Sequence, residues 1–96
     1  MHKRLQLILI ALTFYSATFA QKATISGRVV DTLGQGLIGA IVVEKGTSNG
    51  AVVGENGKFS INVNDAKTAS ITASYSGYAN STVALGGKTT ITITLR

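Results

Sequence analysis

The residues able to do acid–base or ligand chemistry in this chain are few. Four carboxylates are present, Asp31, Glu44, Glu55 and Asp65; the single imidazole is His2, and there is no cysteine. A glycosidase-like reaction needs two carboxyl groups facing each other across the scissile bond. Here each carboxylate sits in or beside an expected turn or strand edge, where Asp and Glu serve mostly as local hydrogen-bond acceptors. The oxygen-rich strings Glu55-Asn56-Gly57 and Asn62-Val63-Asn64-Asp65 invite a calcium reading, but each offers one carboxylate. Calcium takes about six to eight oxygens with several carboxylates converging. The four glycines between Gly46 and Gly57 lack the Gly-Lys-Ser/Thr ending and following helix of a phosphate loop. Tyr75 and Tyr78 flank Gly77 and could stack on a sugar, yet Tyr75 fits a core position and Tyr78 a strand end. The expectation is a chain with no catalytic residue, no cofactor and no metal, and so not an enzyme.

The N-terminus has a different purpose. Lys3 and Arg4 precede an apolar run from Leu5 to Phe14, and Thr18 and Ala20 are small residues suited to a cut before Gln21. A positive start, a short apolar stretch and a small-residue exit define a secretory signal peptide. A spanning helix needs about 20 mainly apolar residues, whereas Leu5 to Ala20 includes Gln6, Thr13 and Ser16. Residues 1–20 are therefore expected to be a leader and residues 21–96 one domain. Cleavage takes His2 with it, leaving no imidazole for general-base or metal work. It also lowers the net charge from +5 to +3, because Lys3 and Arg4 leave. The remaining cations, from Lys22 to Arg96, are scattered along the chain, whereas nucleic-acid binding uses a concentrated basic patch. Without cysteine there is no disulfide framework, no thiolate site and no thiol acceptor for a lipid.

Residues 21–96 are rich in β-branched types, with ten Thr, eight Val and seven Ile, and they hold all 11 glycines. No segment repeats apolar residues at helical spacing for three turns. Short alternating runs separated by turn signals predict seven strands. They are Thr24–Asp31, Leu37–Lys45, Ala51–Gly54, Lys58–Val63, Ala69–Ser76, Asn80–Leu85 and Thr89–Leu95. The alternation places Ile25, Gly27 and Val29 against Ser26, Arg28 and Val30 on the first strand. It turns Phe59, Ile61 and Val63 inward, then Ile71, Ala73 and Tyr75, then Ile91, Ile93 and Leu95. Asn56-Gly57 reads as a two-residue hairpin turn, because both residues tolerate positive φ. The fold class expected is all-β, a seven-stranded immunoglobulin-like (prealbumin-like) sandwich. On the second strand Ala40 and Val42 point inward, so Ile41 and Val43 face outward. Apolar residues on both faces of one strand imply a cover for the second face, which makes Ile41 and Val43 the candidate partner surface.

From Ile25 to Leu95 the chain resembles the carboxypeptidase-regulatory-like (carboxypeptidase D regulatory, transthyretin-related) β-sandwich family. The form it resembles most is the N-terminal extension of SusC/RagA-type TonB-dependent outer-membrane transporters. The matching residues are Ser26-Gly27-Arg28-Val29-Val30-Asp31, Gly34, Leu37, Gly39-Ala40, Lys45-Gly46-Thr47 and Gly50. They continue with Asn56-Gly57-Lys58-Phe59, Tyr75-Ser76-Gly77-Tyr78 and the closing Thr-Ile-Thr-Ile-Thr-Leu. Their order and spacing carry the likeness, since no single piece is specific. Two departures stand out. The prolines common near the turn before Gly-Ala are replaced by Gly36 and Ile38, and a common Thr-Asp pair before the Asn-Gly turn by Val53-Gly54.

The resemblance implies a non-catalytic accessory or docking domain of a TonB-dependent nutrient-uptake system, in the periplasm or at the outer membrane. Its partner would be a protein of the cell envelope, either the transporter body or its energy-transducing protein. The alternatives are a free secreted module that binds glycan or protein, and a structural or adhesin domain in which an edge strand pairs with another chain. Export is directly testable. Intact mass of the protein from the envelope fraction should correspond to a chain beginning at Gln21, and a chain still beginning at Met1 would refute the leader.

Overall fold

The computed structural model describes residues 22–96; the expected leader, 1–20, lies outside them. Seven strands follow in order: β1 Ala23–Val30, β2 Ile41–Glu44, β3 Gly50–Val52, β4 Lys58–Val63, β5 Ser70–Ser74, β6 Ser81–Ala84 and β7 Thr90–Thr94. They form two sheets, one of three strands ordered β4-β1-β7 and one of four ordered β3-β2-β5-β6. The fold is thus an all-β sandwich, as the alternation predicts.

The core lies between the sheets. Ile25 and Val29 of β1, Phe59, Ile61 and Val63 of β4, and Ile91 and Ile93 of β7 face Val42 of β2 and Ile71 and Ala73 of β5. Leu37, Ala40, Val53, Leu85 and Leu95 close it from the connections. Side chains of period two present one face to each side of a strand, and the β-branched residues suit that pleated, half-buried surface.

β1 is the middle strand of its sheet. It pairs antiparallel with β4, Ile25 opposite Ile61 and Gly27 opposite Phe59. On its other side it pairs parallel with β7, Gly27 beside Ile91 and Val29 beside Ile93. Gly27 sits inward at the centre of this arrangement. A Cβ built there would lie 2.8 Å from the Phe59 ring and 2.3 Å from the Ile91 carbonyl oxygen. The absent side chain is the space into which Phe59 folds.

The structure revises three sequence expectations. The second strand starts at Ile41 rather than Leu37, because Gly39 adopts φ +90° and turns the chain before extended geometry begins. The Asn56-Gly57 turn has the expected positive φ at both residues, 59° and 74°, but it joins no hairpin. β3 pairs with β2 and β4 with β1, so the turn carries the chain from one sheet to the other. Gly36 packs so closely on this turn that a Cβ would come within 2.3 Å of the Asn56 carbonyl carbon. Third, Val30 points to the outer side with Arg28 and yet is buried. The chain folds back after Asp31, and Val30 bridges to Gly36.

Phe59→Ala is expected to cost about 3–5 kcal/mol, the range for deleting a core aromatic. That is most of what a small domain has, on the order of 5 kcal/mol. Thermal or urea denaturation measures it, and an unchanged melting temperature would refute the role given to the ring.

Candidate partner-binding face

The outer face of the four-stranded sheet can be assembled from its registers. Ile41 lies between Val52 of β3 and Ser74 of β5, and Val43 between Gly50 and Thr72. Thr72 in turn lies beside Thr82 of β6, their hydroxyls 2.9 Å apart in a hydrogen bond. The face therefore changes character across the sheet. Its β3–β2 half is aliphatic, with Ile41 47% and Val52 70% exposed. Its β5–β6 half is a hydroxyl surface of Ser74, Thr72 and Thr82. None of these residues is charged. The outer face of the other sheet differs: Arg28 and Lys58 lie directly opposite each other there.

Both residues expected to form a partner surface thus lie on the outer side of β2, Ile41 exposed and Val43 half-buried over Gly50. Val52 was not among the expected residues. Its strand is three residues long, too short for alternation to show which face it takes, and only the pairing with Ile41 adds it to the stripe. At one end of the stripe a shallow depression of about 350 Å³ is lined by Gly39, Ile41, Ser74, Tyr75 and Ser76. Tyr75 and Tyr78 pack together there with ring centroids 5.7 Å apart and planes tilted by 51°. Both are half-buried against the core.

The carboxylates divide into two groups. Asp31 accepts hydrogen bonds at Oδ1 from the backbone N–H of Leu33 at 2.8 Å and of Gln35 at 3.0 Å. Asp65 accepts one from the N–H of Lys67 at 3.0 Å. Glu55 is exposed in the turn before β4. These three are turn acceptors or surface groups, as their positions predict. Glu44 is different: it is 5% exposed and faces inward at the end of β2. The sequence places it with the other carboxylates as an edge acceptor, and its burial on the side of Ala40 and Val42 corrects that expectation. Glu44 Oε1 accepts from Asn49 Nδ2 at 3.2 Å, and Oε2 from the Asn64 N–H at 3.4 Å. Asn49 Nδ2 also donates to the Asn62 carbonyl oxygen of β4. The group therefore ties the two sheets together at one pole. Beside it opens a polar cleft of about 500 Å³ lined by Lys22, Thr24, Asn49, Asn62 and Asn64 among others. Among the described residues no three His, Cys, Asp or Glu side chains come together as a metal site.

Residues 25–96 match the family model of the CarboxypepD_reg-like domain, and the chain belongs to that family. Among curated proteins it is similar to the TonB-dependent receptor SusC of Bacteroides thetaiotaomicron, with 41% identity over 73 residues. The match covers 75% of this chain and 7% of the receptor, so the chain spans a small part of that relative's length. Among the described residues no helix is long and apolar enough to cross a membrane. Val53 is in the core and the Gly54 N–H donates to the Lys58 carbonyl at 2.9 Å.

Asn49→Ala should remove the donor held by buried Glu44 and lower stability by about 1–3 kcal/mol, the cost of a buried acceptor left unpaired. Urea denaturation tests this, and a midpoint unchanged within error would mean that water replaces Asn49 at no cost.

Proposed function

We propose that this chain is a non-catalytic docking domain of a TonB-dependent outer-membrane nutrient-uptake system. In this reading it is exported by residues 1–20, resides in the periplasm or at the outer membrane, and seats the aliphatic half of its four-stranded sheet on a protein of the envelope. That protein would be the transporter body or the protein that energises it. The observation that carries the reading is the 41% identity over 73 residues to a TonB-dependent receptor. The uncharged outer face supports it. An antiparallel sheet can leave one face to water, and that face then normally alternates to polar side chains. Here Ile41, Val43 and Val52 break the alternation together on neighbouring strands, a grouping that marks interaction surfaces more than isolated exposed residues do.

The double variant Ile41→Thr, Val43→Thr keeps β-propensity and removes apolar character from the stripe. It should melt close to the parent and lose co-purification with its envelope partner. Retained co-purification by a folded double variant would remove the docking role from this face.

A further inference from the structure

We propose a second interaction surface, distinct from the face of Ile41 and Val43: the open edge of β7, which adds an extended, acidic-ended strand from a partner protein. β7 ends the three-stranded sheet, and its ladder to β1 fixes which backbone groups remain free. The Ser26 N–H donates to the Thr89 carbonyl at 2.8 Å, and the Leu95 N–H to the Val30 carbonyl at 2.8 Å. In a parallel ladder, alternate residues of a strand direct both their N–H and C=O to the same neighbour. Ile91 and Ile93 therefore bond to β1, while the N–H and C=O of Thr90, Thr92 and Thr94 point away from it. Among the described residues no strand pairs with that side. The next residue of the same parity, Arg96, is already paired, its carbonyl taking a hydrogen bond from the Ala79 N–H at 2.9 Å, so the open stretch of the edge is Thr90 to Thr94.

Exposed edges are usually blunted by charge, proline or a bulge, since they template pairing with other chains. β7 has none of these within Thr90–Thr94. The other edges offer less. β3 has three residues and β6 four. β4 carries Lys58, and its Asn62 carbonyl is already taken by Asn49.

Charge selects the occupant. Lys88 and Arg96 bracket the strand, and no Asp or Glu occurs after Asp65. A second copy in antiparallel register would bring Lys88 towards the other copy's Arg96, and facing like charges destabilise a strand pair. A strand with acidic ends meets opposite charge at both. Backbone bonds then supply the affinity and the ends supply the choice of partner.

A short synthetic peptide with alternating Thr and Val flanked by Glu is the probe, added to the full chain. Amide hydrogen exchange should show Ile91 and Ile93 protected in the free protein, and Thr90, Thr92 and Thr94 becoming protected only with peptide. Replacing the flanking Glu by Lys should weaken binding about tenfold, the size of two exposed charge pairs. Methylating one alternate set of peptide amide nitrogens should abolish binding, and methylating the other set should not. Thr92→Pro removes one outward N–H without touching the β1 ladder, as edge strands permit, and should abolish binding while Ile91 and Ile93 stay protected. The methylated peptides decide the matter if that variant does not fold. Equal binding of the Lys-ended peptide, no new protection at the three threonines, or concentration-dependent pairing of two copies through β7 would each overturn the proposal.

Discussion

At the middle of the three-stranded sheet, β1, a strand with partners on both sides, lacks a side chain at Gly27, and the neighbouring strand's Phe59 ring occupies the gap. The Phe59–Gly27 contact is what allows the two sheets to share one core. A larger residue at 27 would strike the Ile91 carbonyl on one side and the ring on the other. Protein interiors tolerate such overlap poorly because they are packed as tightly as organic crystals. With the ring in place, Ile61 and Val63 fall inward by parity, and β1 is held on one side by β4 and on the other by β7. The chain has no disulfide to share this task, and a domain of this size buries a smaller fraction of its surface than a larger one does.

The two sheets are then free to differ on their outer sides. The three-stranded sheet is polar and basic outside, with Arg28 facing Lys58. Arg28 Nε donates to the Asn56 carbonyl at 2.9 Å, which pins the crossing turn to β1. The four-stranded sheet is uncharged outside and graded from aliphatic to hydroxylic. A surface of that kind excludes water easily without requiring a matching charge, whereas the bare β7 edge demands hydrogen-bond partners and offers flanking cations. The two features differ in physical type, one an exposed apolar area and the other a row of outward backbone groups.

Much of this was legible in the residues, because alternation encodes which face a side chain takes. Phe59, Ile61 and Val63 announce their orientation, as do Ile71 and Ala73, and Ile41 and Val43 announce theirs by opposition to Val42. Alternation does not encode which strand lies next to which. Asn56-Gly57 has the local conformation of a hairpin turn, but the pairing of β4 with β1 rather than β3 rests on contacts some thirty residues apart in the chain, Gly27 with Phe59 among them. The buried Glu44 was legible in parity and obscured by its charge, since a carboxylate near a strand end ordinarily faces water. Val52 and the burial of Val30 were not legible: the first depends on a three-residue strand, the second on a loop that returns over its own strand.

The parallel pairing of β1 with β7 has a mechanical consequence. The chain enters β1 at Ala23, at one pole of the sandwich, and leaves β7 towards Leu95 at the other, with five positions in register between Ser26–Thr90 and Val30–Thr94. Tension applied between these two ends runs along the strands and across their hydrogen bonds. It loads the ladder in shear, so that the bonds share the force and must yield together. A hairpin pulled open from its free ends would instead lose its bonds one at a time. A pull along this axis therefore meets all five positions of the ladder at once.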